Sequence, residues 1–419
     1  MHKAPRGTFD ILPQEHAYWK YVEEKAASLC QLYGYQRLST PIFEDAQVFT
    51  KTVAGGTDIV DKEMYIFQDK SGQELALRAE GTAPVCRAYL EHGLFNLPQP
   101  VKLYYIGPTF RYERPQSGRY RQHHQFGFEA LGEADPALDA EVIEMARHFF
   151  DSLGLSQFII QLNSIGCRVC RPGYLEVLKQ HYSDYTDHLC PDCKVRLIRN
   201  PLRLLDCKKP ACQEIAKSAP RITDYLCSEC QLHFQSVQKY LGVMDITFQL
   251  NPRLVRGLDY YTRTVFEVEP RENGGQSTLG GGGRYDNLIE ELGGKPTPAV
   301  GFATGLERII LNLEKQKLDI PELPGTAVFI AYLEGEAKIE AMKLASGLRQ
   351  EGVAVIMATG DKSLRGQMRQ ANSLDIPYAL ILGEEEVAKR NVMLRDMKSG
   401  EQKTIPLPEI AGFFKQLRI

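Results

Sequence analysis

The sequence predicts an α+β domain that carries a cysteine-rich insertion and is followed by a separate, compact α/β domain. Three observations support this prediction. Helical and strand-like patterns alternate without a fixed repeat over the first part of the chain. Eight of the ten cysteines lie between Cys167 and Cys230. Beyond Glu322, short apolar strands are separated by helical stretches, a pattern typical of a compact α/β domain.

Composition places the chain among soluble globular proteins. Its 419 residues suggest two or three domains, and 43% hydrophobic with 25% charged residues is enough for a buried core. No apolar run approaches the roughly 18 residues of a membrane helix, and residues 1–14 lack the apolar stretch of a secretory signal. We therefore expect a cytoplasmic protein without a membrane partner.

The first domain opens with a helix and continues mainly as strands. One apolar helical face over residues 13–33 is formed by Trp19, Val22, Ala26, Leu29 and Leu32. Further helical patterns cover 140–153 and 305–313. Strand-like segments lie at 38–42, 74–77, 101–106, 158–162, 246–250, 264–268 and 299–302. Between 111 and 129, two strand-like ends flank a charged loop, which predicts an antiparallel hairpin.

Charge is unevenly distributed along the chain. The net charge of −3 does not require a nucleic-acid partner. Between Lys102 and His124, however, there are five basic residues and one acidic residue, a local charge of +4 (5 − 1). Such a segment can bind a polyanion through its phosphates. A solvated surface loop is the alternative.

The cysteines occur in pairs. Three pairs have zinc-knuckle spacing, Cys167-x2-Cys170, Cys190-x2-Cys193 and Cys227-x2-Cys230, and Cys207-x4-Cys212 is a looser fourth. In a cytoplasmic chain this argues against disulfides. Four pairs could form two tetrahedral four-thiolate zinc sites, and metal-free reduced thiols are the alternative.

The domain boundaries follow from these patterns. Residues 167–240 hold 12 Lys or Arg against 8 Asp or Glu, and we interpret them as a subdomain inserted into a domain made of 1–166 and 241–322. The proline and glycine around residue 324 mark a linker. The tail, residues 325–419, has three apolar strands at 328–332, 353–357 and 378–382, predicted to be joined by right-handed crossovers.

Familiar nucleotide-binding motifs are missing. The run Gly280-Gly281-Gly282-Gly283-Arg284 is not followed by Lys-Ser or Lys-Thr, so it is not a P-loop, and its spacing does not fit a dinucleotide fingerprint. Taken alone, it would be a flexible turn. Its possible functional use is close approach of the backbone to a ligand.

Three arginines lie in unusual surroundings. Arg111 lies in Phe110-Arg111-Tyr112-Glu113-Arg114-Pro115, where a strand enters the charged loop. Arg256 lies in Leu254-Val255-Arg256-Gly257-Leu258-Asp259-Tyr260-Tyr261, and Arg308 in Gly305-Leu306-Glu307-Arg308 at a strand-to-helix junction. Arginine is always ionised and suits phosphate. For each one singly, a structural or surface role is the competing explanation.

Together these stretches resemble the class II aminoacyl-tRNA synthetases, specifically the histidyl-tRNA synthetase family. The resemblance extends from Gly7-Thr8-Phe9-Asp10 to the tail. Residues 41–44, 110–129 and 305–308 resemble the three class motifs, and the first of these is used for dimerisation. The stretches 254–261 and 282–286 are characteristic of histidyl enzymes. One departure is Ala79, where the family usually has proline, and we expect little effect.

The resemblance implies a six-stranded antiparallel sheet flanked by helices and, at 325–419, an anticodon-binding α/β domain. It implies that ATP and histidine form histidyl-adenylate and pyrophosphate, and that histidine then passes to the 3′ end of tRNA(His). Arg256 would be the main catalytic cation, with Arg111 on the same α-phosphate. Arg308 and Arg119 would complete the ATP contacts, and Mg²⁺ would neutralise the β- and γ-phosphates.

The resemblance also implies a histidine pocket. Glu129 and Tyr261 would face the imidazole, whose two nitrogens need polar partners. The amino group would be held by Glu80, Thr82 and Gln125, and Tyr285 would close the pocket. The full predicted set adds Gly81, Tyr260 and Arg256.

Partners and alternatives follow from the same resemblance. The loop 114–121 would touch the tRNA acceptor end, and the tail, with 13 basic and 12 acidic residues, would read bases and shape more than bulk charge. We expect a homodimer. One alternative is a non-catalytic regulatory subunit of the first enzyme of histidine biosynthesis, whose members typically lose catalytic arginines and the tail domain. Another is a synthetase for glycine, threonine or proline.

Overall fold

The computed structural model describes residues 2–50, 63–115, 118–271, 278–360 and 362–417. The chain divides into two compact units, Met1–Pro321 and Glu322–Ile419. Within the described ranges, no helix is both long and apolar enough to cross a membrane.

Strands of the first unit alternate irregularly with helices. The strands are β1 (Gln36–Arg37), β2 (Phe43–Asp45), β3 (Ile66–Gln68), β4 (Glu74–Leu77), β5 (Val101–Phe110), β6 (Gln122–Leu131), β7 (Phe158–Ser164), β8 (Phe248–Leu250), β9 (Thr262–Pro270), β10 (Gly280–Arg284) and β11 (Ala299–Gly305). The helices are α1 (His16–Leu32), α2 (Gln47–Thr50), α3 (Thr82–Glu91), α4 (Pro136–Ser152), α5 (Arg171–Ser183), α6 (Pro191–Arg199), α7 (Pro210–Lys217), α8 (Ser228–Val243), α9 (Leu288–Glu291) and α10 (Leu306–Lys315).

The main sheet has eight strands in the order β1-β5-β6-β11-β10-β9-β7-β8, so the expectation of six strands was wrong. The six inner strands are antiparallel, as expected. The two extra strands pair in parallel at the edges, β1 with β5 and β8 with β7. β8 has three residues and lies within the segment 246–250 that was predicted as a strand, whereas β1 has two residues, too few for an alternating pattern to be visible. A separate three-stranded sheet has the order β2-β4-β3.

The sheet separates two apolar cores because successive side chains of a strand point to opposite faces. Phe128 and Phe266 lie in one core, packed with α1 and α4. Leu103 and Val265 lie in the other, which also contains apolar residues of α5, α6 and α7. The cysteine-rich segment therefore shares a core with one face of the sheet.

The second unit is built on a mixed sheet of β12 (Val328–Tyr332), β13 (Val355–Met357), β14 (Tyr378–Leu382), β15 (Asn391–Asp396) and β16 (Gln402–Pro406), with helices α11 (Glu336–Gln350), α12 (Leu364–Ser373), α13 (Glu384–Ala388) and α14 (Ile410–Gln416). The strand order is β13-β12-β14-β15-β16. The three predicted strands pair in parallel, and β15 and β16 add an antiparallel extension that the sequence pattern did not predict.

A buried ion pair joins helix α4 to the end of the glycine run. Arg284 and Asp139 are both fully buried and bonded to each other, with Arg284 Nε 3.0 Å from Asp139 Oδ2. His233 Nε2 lies 3.2 Å from the other carboxylate oxygen. Although burial opposes its charge, Asp139 has its pKa lowered to about 2, chiefly by Arg284.

We expect Asp139→Asn to lower the free energy of unfolding by about 3–5 kcal/mol, because it leaves the Arg284 charge buried and uncompensated. Asp151→Asn is the matched control, since Asp151 lies on the same helix in an exposed pair with Arg147, and it should change stability by less than about 0.5 kcal/mol. Urea unfolding at pH 7 measures both. The carboxylate's contribution should disappear as pH falls from about 4 toward 2, because the folded-state pKa is the lower one. Equal stability of the two variants would contradict the assignment.

Candidate active site

A cleft of about 280 Å³ opens over the centre of the eight-stranded sheet. Its floor comes from strands β6, β9, β10 and β11. Its walls are the loop between β5 and β6, the segment before β9, and the first turn of α10. The polar and charged lining residues are Arg111, Glu113, Arg119, Tyr120, His123, Gln125, Arg256, Tyr261, Glu267, Thr278, Thr304, Glu307 and Arg308.

The glycine run forms strand β10 in the middle of the sheet, so it is not the flexible turn that its composition alone suggests. Small residues are required there because neighbours approach closely. A Cβ at Gly281 would lie 2.5 Å from Arg256 Nη1, and one at Gly282 would lie 2.0 Å from the carbonyl oxygen of Gly301. The absence of side chains creates the space in which the Arg256 guanidinium lies over the sheet.

Each of the three motif arginines is held in place by the protein while lining the cleft. Arg111 follows β5 directly and donates from Nε to the carbonyl of Ala79 at 2.9 Å. Arg308 donates to the carbonyls of Gly118 and Thr278, each at 3.0 Å. Arg256 pairs with Glu267 of β9. These contacts fix the guanidinium planes before any ligand arrives.

The electrostatics of the cleft favour an anion. Burial lowers the pKa of Arg308, and the like charges of Arg119 and Arg111 lower it further. Burial also opposes the charge of Arg256, but Glu267 outweighs it and raises the pKa. Nε of Arg256 is buried and, within the described ranges, has no hydrogen-bond partner. A bound anion would offset the repulsion among these positive charges and would accept a hydrogen bond from Arg256 Nε.

Behind the cleft lies a buried polar group that we name the carboxylate pocket, formed by Glu80, Thr82, Glu129 and Tyr285. Thr82 Oγ1 donates to Glu129 Oε1 at 2.7 Å, and Tyr285 OH donates to Glu129 Oε2 at 2.5 Å. These residues come from β6, the start of α3 and the residue after β10. The carboxyl group of Glu129 thus accepts two hydroxyl donors at a site sealed from water.

Glu80 and Gln125 connect the carboxylate pocket to the cleft. Glu80 accepts the backbone N–H groups of Thr82 and Ala83, both at 2.7 Å, at the start of α3. Gln125 Oε1 accepts the N–H of Gly81 at 3.0 Å and lines the cleft itself. Tyr261 lines the cleft, and its ring lies 4.8 Å from that of Tyr260, whose hydroxyl is 3.5 Å from Glu80 Oε2.

Burial shifts the titration of both pocket acids. It raises the pKa of Glu129 to about 8, and the charge of Glu80 adds to this shift. Burial also raises the pKa of Glu80, although its backbone donors oppose the shift. In the cleft, burial and the charges of Arg111 and Arg308 lower the pKa of His123 to about 3, so this ring is neutral. Acids with raised pKa beside fixed cations are typical of binding and catalytic sites.

Several residues of this region had not been singled out from the sequence. Glu267 pairs with Arg256, and the available signal was an acid within an apolar strand. Tyr105 lies against Gly81 and Gly127, where a Cβ would come within 2.1 and 2.3 Å of its ring and hydroxyl. Nothing in the local pattern of β5 distinguishes this tyrosine from its neighbour Tyr104, which faces the opposite core.

The predicted residues occupy two adjoining positions. The arginines 111, 119, 256 and 308 line the cleft with Gln125 and Tyr261. The residues 80, 81, 82, 129, 260 and 285 surround the carboxylate pocket and are not part of the cleft lining. Of the predicted loop 114–121, residues 116 and 117 lie outside the described residues.

The eight cysteines of the insertion separate into two groups of four. The first cysteine cluster is Cys167, Cys170, Cys227 and Cys230, and the second is Cys190, Cys193, Cys207 and Cys212. Within each cluster all sulfur atoms lie within 4.8 Å of one another. All ten cysteines are free thiols.

Comparison with known proteins identifies relatives over both units. The family model described as histidyl-tRNA synthetase matches residues 7–168 and 210–309, and the anticodon binding domain model matches 327–417. A histidine–tRNA ligase from Dehalococcoides mccartyi is 57% identical over 410 residues, covering 98% of each chain. One from Caldanaerobacter subterraneus is 48% identical over 413 residues, covering 99% of each.

Solved structures match as well. The apo histidyl-tRNA synthetase of S. aureus has a TM-score of 0.83 at 37% identity, over 99% of this chain and 100% of that one. A Bacillus halodurans structure described as an ATP phosphoribosyltransferase regulatory subunit/histidyl-tRNA synthetase has a TM-score of 0.64 at 23% identity, over 91% of this chain and 98% of that one. That second likeness shows a shared fold alone.

Proposed function

Because the chain belongs to the histidyl-tRNA synthetase family and is an aminoacyl-tRNA ligase that joins histidine to tRNA at the expense of ATP, we propose which of its residues do so. ATP binds in the cleft of arginines, and histidine binds between this cleft and the carboxylate pocket. The observation that carries the proposal is the adjacency of these two sites, since Gln125 and Tyr261 line the cleft and also adjoin the pocket.

The first step joins the histidine carboxylate to the α-phosphorus of ATP. A carboxylate oxygen forms the new P–O bond, the bond to the bridging oxygen breaks, and its electron pair leaves with pyrophosphate. No proton moves, so the protein's task is positioning and stabilisation of negative charge. Arg111 and Arg256 approach the cleft from different elements and suit the α-phosphate from two sides.

The remaining phosphates would meet Arg308 and Arg119 at the other side of the cleft. Mg²⁺ binds through one or two carboxylates together with substrate phosphates and neutralises their charge. Glu307 suits this ion, because it lines the cleft with a buried oxygen that accepts no hydrogen bond from the described part of the chain. Glu113 is a second carboxylate of the cleft lining, with its Oε2 3.5 Å from Arg119 Nη1.

Histidine recognition rests on the carboxylate pocket. A ring N–H of the substrate is donated to Glu129, whose orientation Thr82 and Tyr285 maintain. The amino group is bound by Glu80 and Gln125. An analogue without ring nitrogens would bury Glu129 without the substrate donor that replaces water, so apolar side chains of similar size should be rejected.

We further propose a homodimer formed through the three-stranded sheet. Strands β2 and β3 lie at its edges and carry the large exposed side chains Phe43, Ile66 and Phe67. Exposed apolar side chains on edge strands favour association with a second copy. Sedimentation equilibrium should give twice the chain mass.

The enzyme acts in the cytoplasm, with residues 325–419 binding the anticodon arm and the loop 114–121 the acceptor end.

For the cysteine-rich segment we propose one structural Zn²⁺ in each cluster. Tetrahedral coordination with Zn–S bonds of about 2.3 Å requires sulfur atoms about 3.8 Å apart. Sγ of Cys167 lies 3.8 Å from that of Cys170 and 3.9 Å from that of Cys227, and Cys190 lies 3.9 Å from Cys207. Protein purified without chelators should contain about two zinc ions per chain. Fewer than about 0.2 would contradict the proposal.

The activation step is tested by ATP–pyrophosphate exchange with each proteinogenic amino acid in turn. Exchange should occur with histidine and be absent with alanine, leucine and phenylalanine, because these lack a donor for Glu129. Histidine-independent exchange, or histidine binding without any exchange, would contradict the proposed site.

A further inference from the structure

The catalytic segment Arg256–Tyr261 has no regular secondary structure of its own. It lies between β8 and β9 and carries the cleft arginine and the two tyrosines that adjoin the carboxylate pocket. A loop can hold a guanidinium within a fraction of an ångström only when other elements support it. The support of this segment is therefore a property that the activity requires.

Residues next to the second cysteine cluster hold the first part of the Arg256–Tyr261 segment. Asn200 and Arg203 lie in the stretch between Cys193 and Cys207. Asn200 Nδ2 donates to both carboxylate oxygens of Asp259, at 2.7 and 2.9 Å. Arg203 Nη1 donates to the carbonyl of Arg256 at 3.2 Å.

Residues next to the first cysteine cluster hold the end of the Arg256–Tyr261 segment. Arg171, the residue after Cys170, donates from Nη2 to the carbonyl of Tyr261 at 2.5 Å. The backbone of Gly166, just before Cys167, accepts the N–H of Arg263 at 2.8 Å. Arg168, between the two cysteines, donates to Asn287, two residues beyond Tyr285.

Apolar packing also joins the cysteine-rich insertion to the Arg256–Tyr261 segment. Cys193, Cys207 and Cys212 belong to the buried core that also contains Leu254, Val255, Tyr260, Tyr261 and Tyr285. The helices of the insertion are short: α6 has nine residues and α7 has eight. Helices of this length are marginal in isolation, and four-thiolate zinc sites supply folding free energy directly.

We propose that the two zinc clusters act as positioning elements for catalysis: they fix the insertion, which in turn holds the Arg256–Tyr261 segment against the cleft. This inference rests on the zinc sites proposed above and assigns them a role in histidine activation. Loss of either ion loosens one end of the segment, through Asn200 and Arg203 or through Arg171. Arg111 and Arg308, which lie on other elements, keep their positions, so ATP binding is largely retained.

The test uses Cys190→Ser and Cys227→Ser in the full-length protein, one for each cluster. Zinc content should fall from about two to about one per chain in each variant. The KM for histidine in ATP–pyrophosphate exchange should rise about tenfold with a lower kcat, while the KM for ATP stays within about twofold. Cys30→Ala is the control, because Cys30 is buried in α1, in the other core; it should keep both zinc ions and ordinary kinetics.

A variant that leaves the cysteines intact tests the positioning of the Arg256–Tyr261 segment without changing the zinc content. Asn200→Ala removes the bonds to Asp259 and should keep two zinc ions while raising the histidine KM. Loss of zinc with unchanged histidine KM and kcat would overturn the positioning role alone. Absence of zinc from the wild-type protein would overturn the metal sites, while histidine-specific exchange would still stand. An equal rise in both KM values would indicate general unfolding and overturn the selective role.

Discussion

Arg256→Ala is expected to lower kcat for histidine-dependent ATP–pyrophosphate exchange by about a thousandfold. The guanidinium pairs with Glu267 and lies against Gly281, which has no side chain to displace it. Its Nε has no hydrogen-bond partner within the described ranges. Such a group stabilises the charge that develops as the carboxylate attacks the α-phosphate. Because the loss concerns the transition state, histidine binding measured by calorimetry should weaken much less than kcat.

The control for this variant is Arg253→Ala. Arg253 lies three residues earlier in the same stretch and is exposed, so its removal should change kcat by less than about twofold. Circular dichroism and urea unfolding should show that Arg256→Ala remains folded. A kcat within about tenfold of the wild-type value would show that another cation carries the charge.

Glu129→Gln is expected to lower kcat/KM for histidine by about a thousandfold. The substitution keeps the shape of the side chain but replaces one acceptor oxygen by an NH₂ donor. Both carboxylate oxygens already accept hydroxyl groups, from Thr82 and Tyr285, so the amide NH₂ would remove one acceptor and force one of these hydroxyls to turn and accept instead. The KM for ATP should change little, because Glu129 is not part of the lining of the cleft that contains the arginines.

Two further observations test the same assignment. Burial raises the pKa of Glu129 to about 8, so the wild-type kcat/KM for histidine should rise between pH 7 and pH 9 as the carboxylate ionises and accepts the ring N–H. Glu129→Gln should abolish this rise. The exposed neighbour Glu133→Gln should keep it. A variant with ordinary histidine kinetics and the same pH profile as the wild type would exclude Glu129 from the pocket.

Gly301→Ala is expected to disturb the carboxylate pocket sterically. A Cβ at this position would lie 1.6 Å from Glu129 Oε2 and 2.9 Å from the carbonyl oxygen of Phe128, so the carboxylate must move furthest. We expect a loss of histidine kcat/KM comparable to that of Glu129→Gln, measured in the same exchange reaction. Full activity would show that the pocket tolerates a displaced carboxylate.

Local patterns identified much of this protein because the relevant residues are close together in the chain. The arginine motifs, the charged loop of the hairpin, the cysteine pairs and each single parallel strand of the second unit extend over a few to twenty residues. The family resemblance followed from these stretches, and the comparisons confirm it. The predicted site residues remain predictions that the variants above can test.

Other features depend on long-range contacts, which no local period records. The edge strand β1 is too short to alternate visibly, and its two residues are a strand only through their pairing with β5. Thr82 meets Glu129 across 47 positions, and Tyr285 meets it across 156. The glycine run is a central strand through its pairing with β9 and β11, and residues far away in the chain, among them Arg256 and Phe302, leave no room for side chains on it.

The cysteines show the division between the two sources of information. The sequence by itself determined that four pairs exist and that thiolate metal sites were possible. Only the tertiary structure decided which pairs combine, joining the pair at the start of the insertion with the pair at its last helix and enclosing the other two between them. The reason is physical: spacing along the chain sets how two neighbouring sulfur atoms are arranged, whereas the packing of α5 to α8 sets which distant pair they meet.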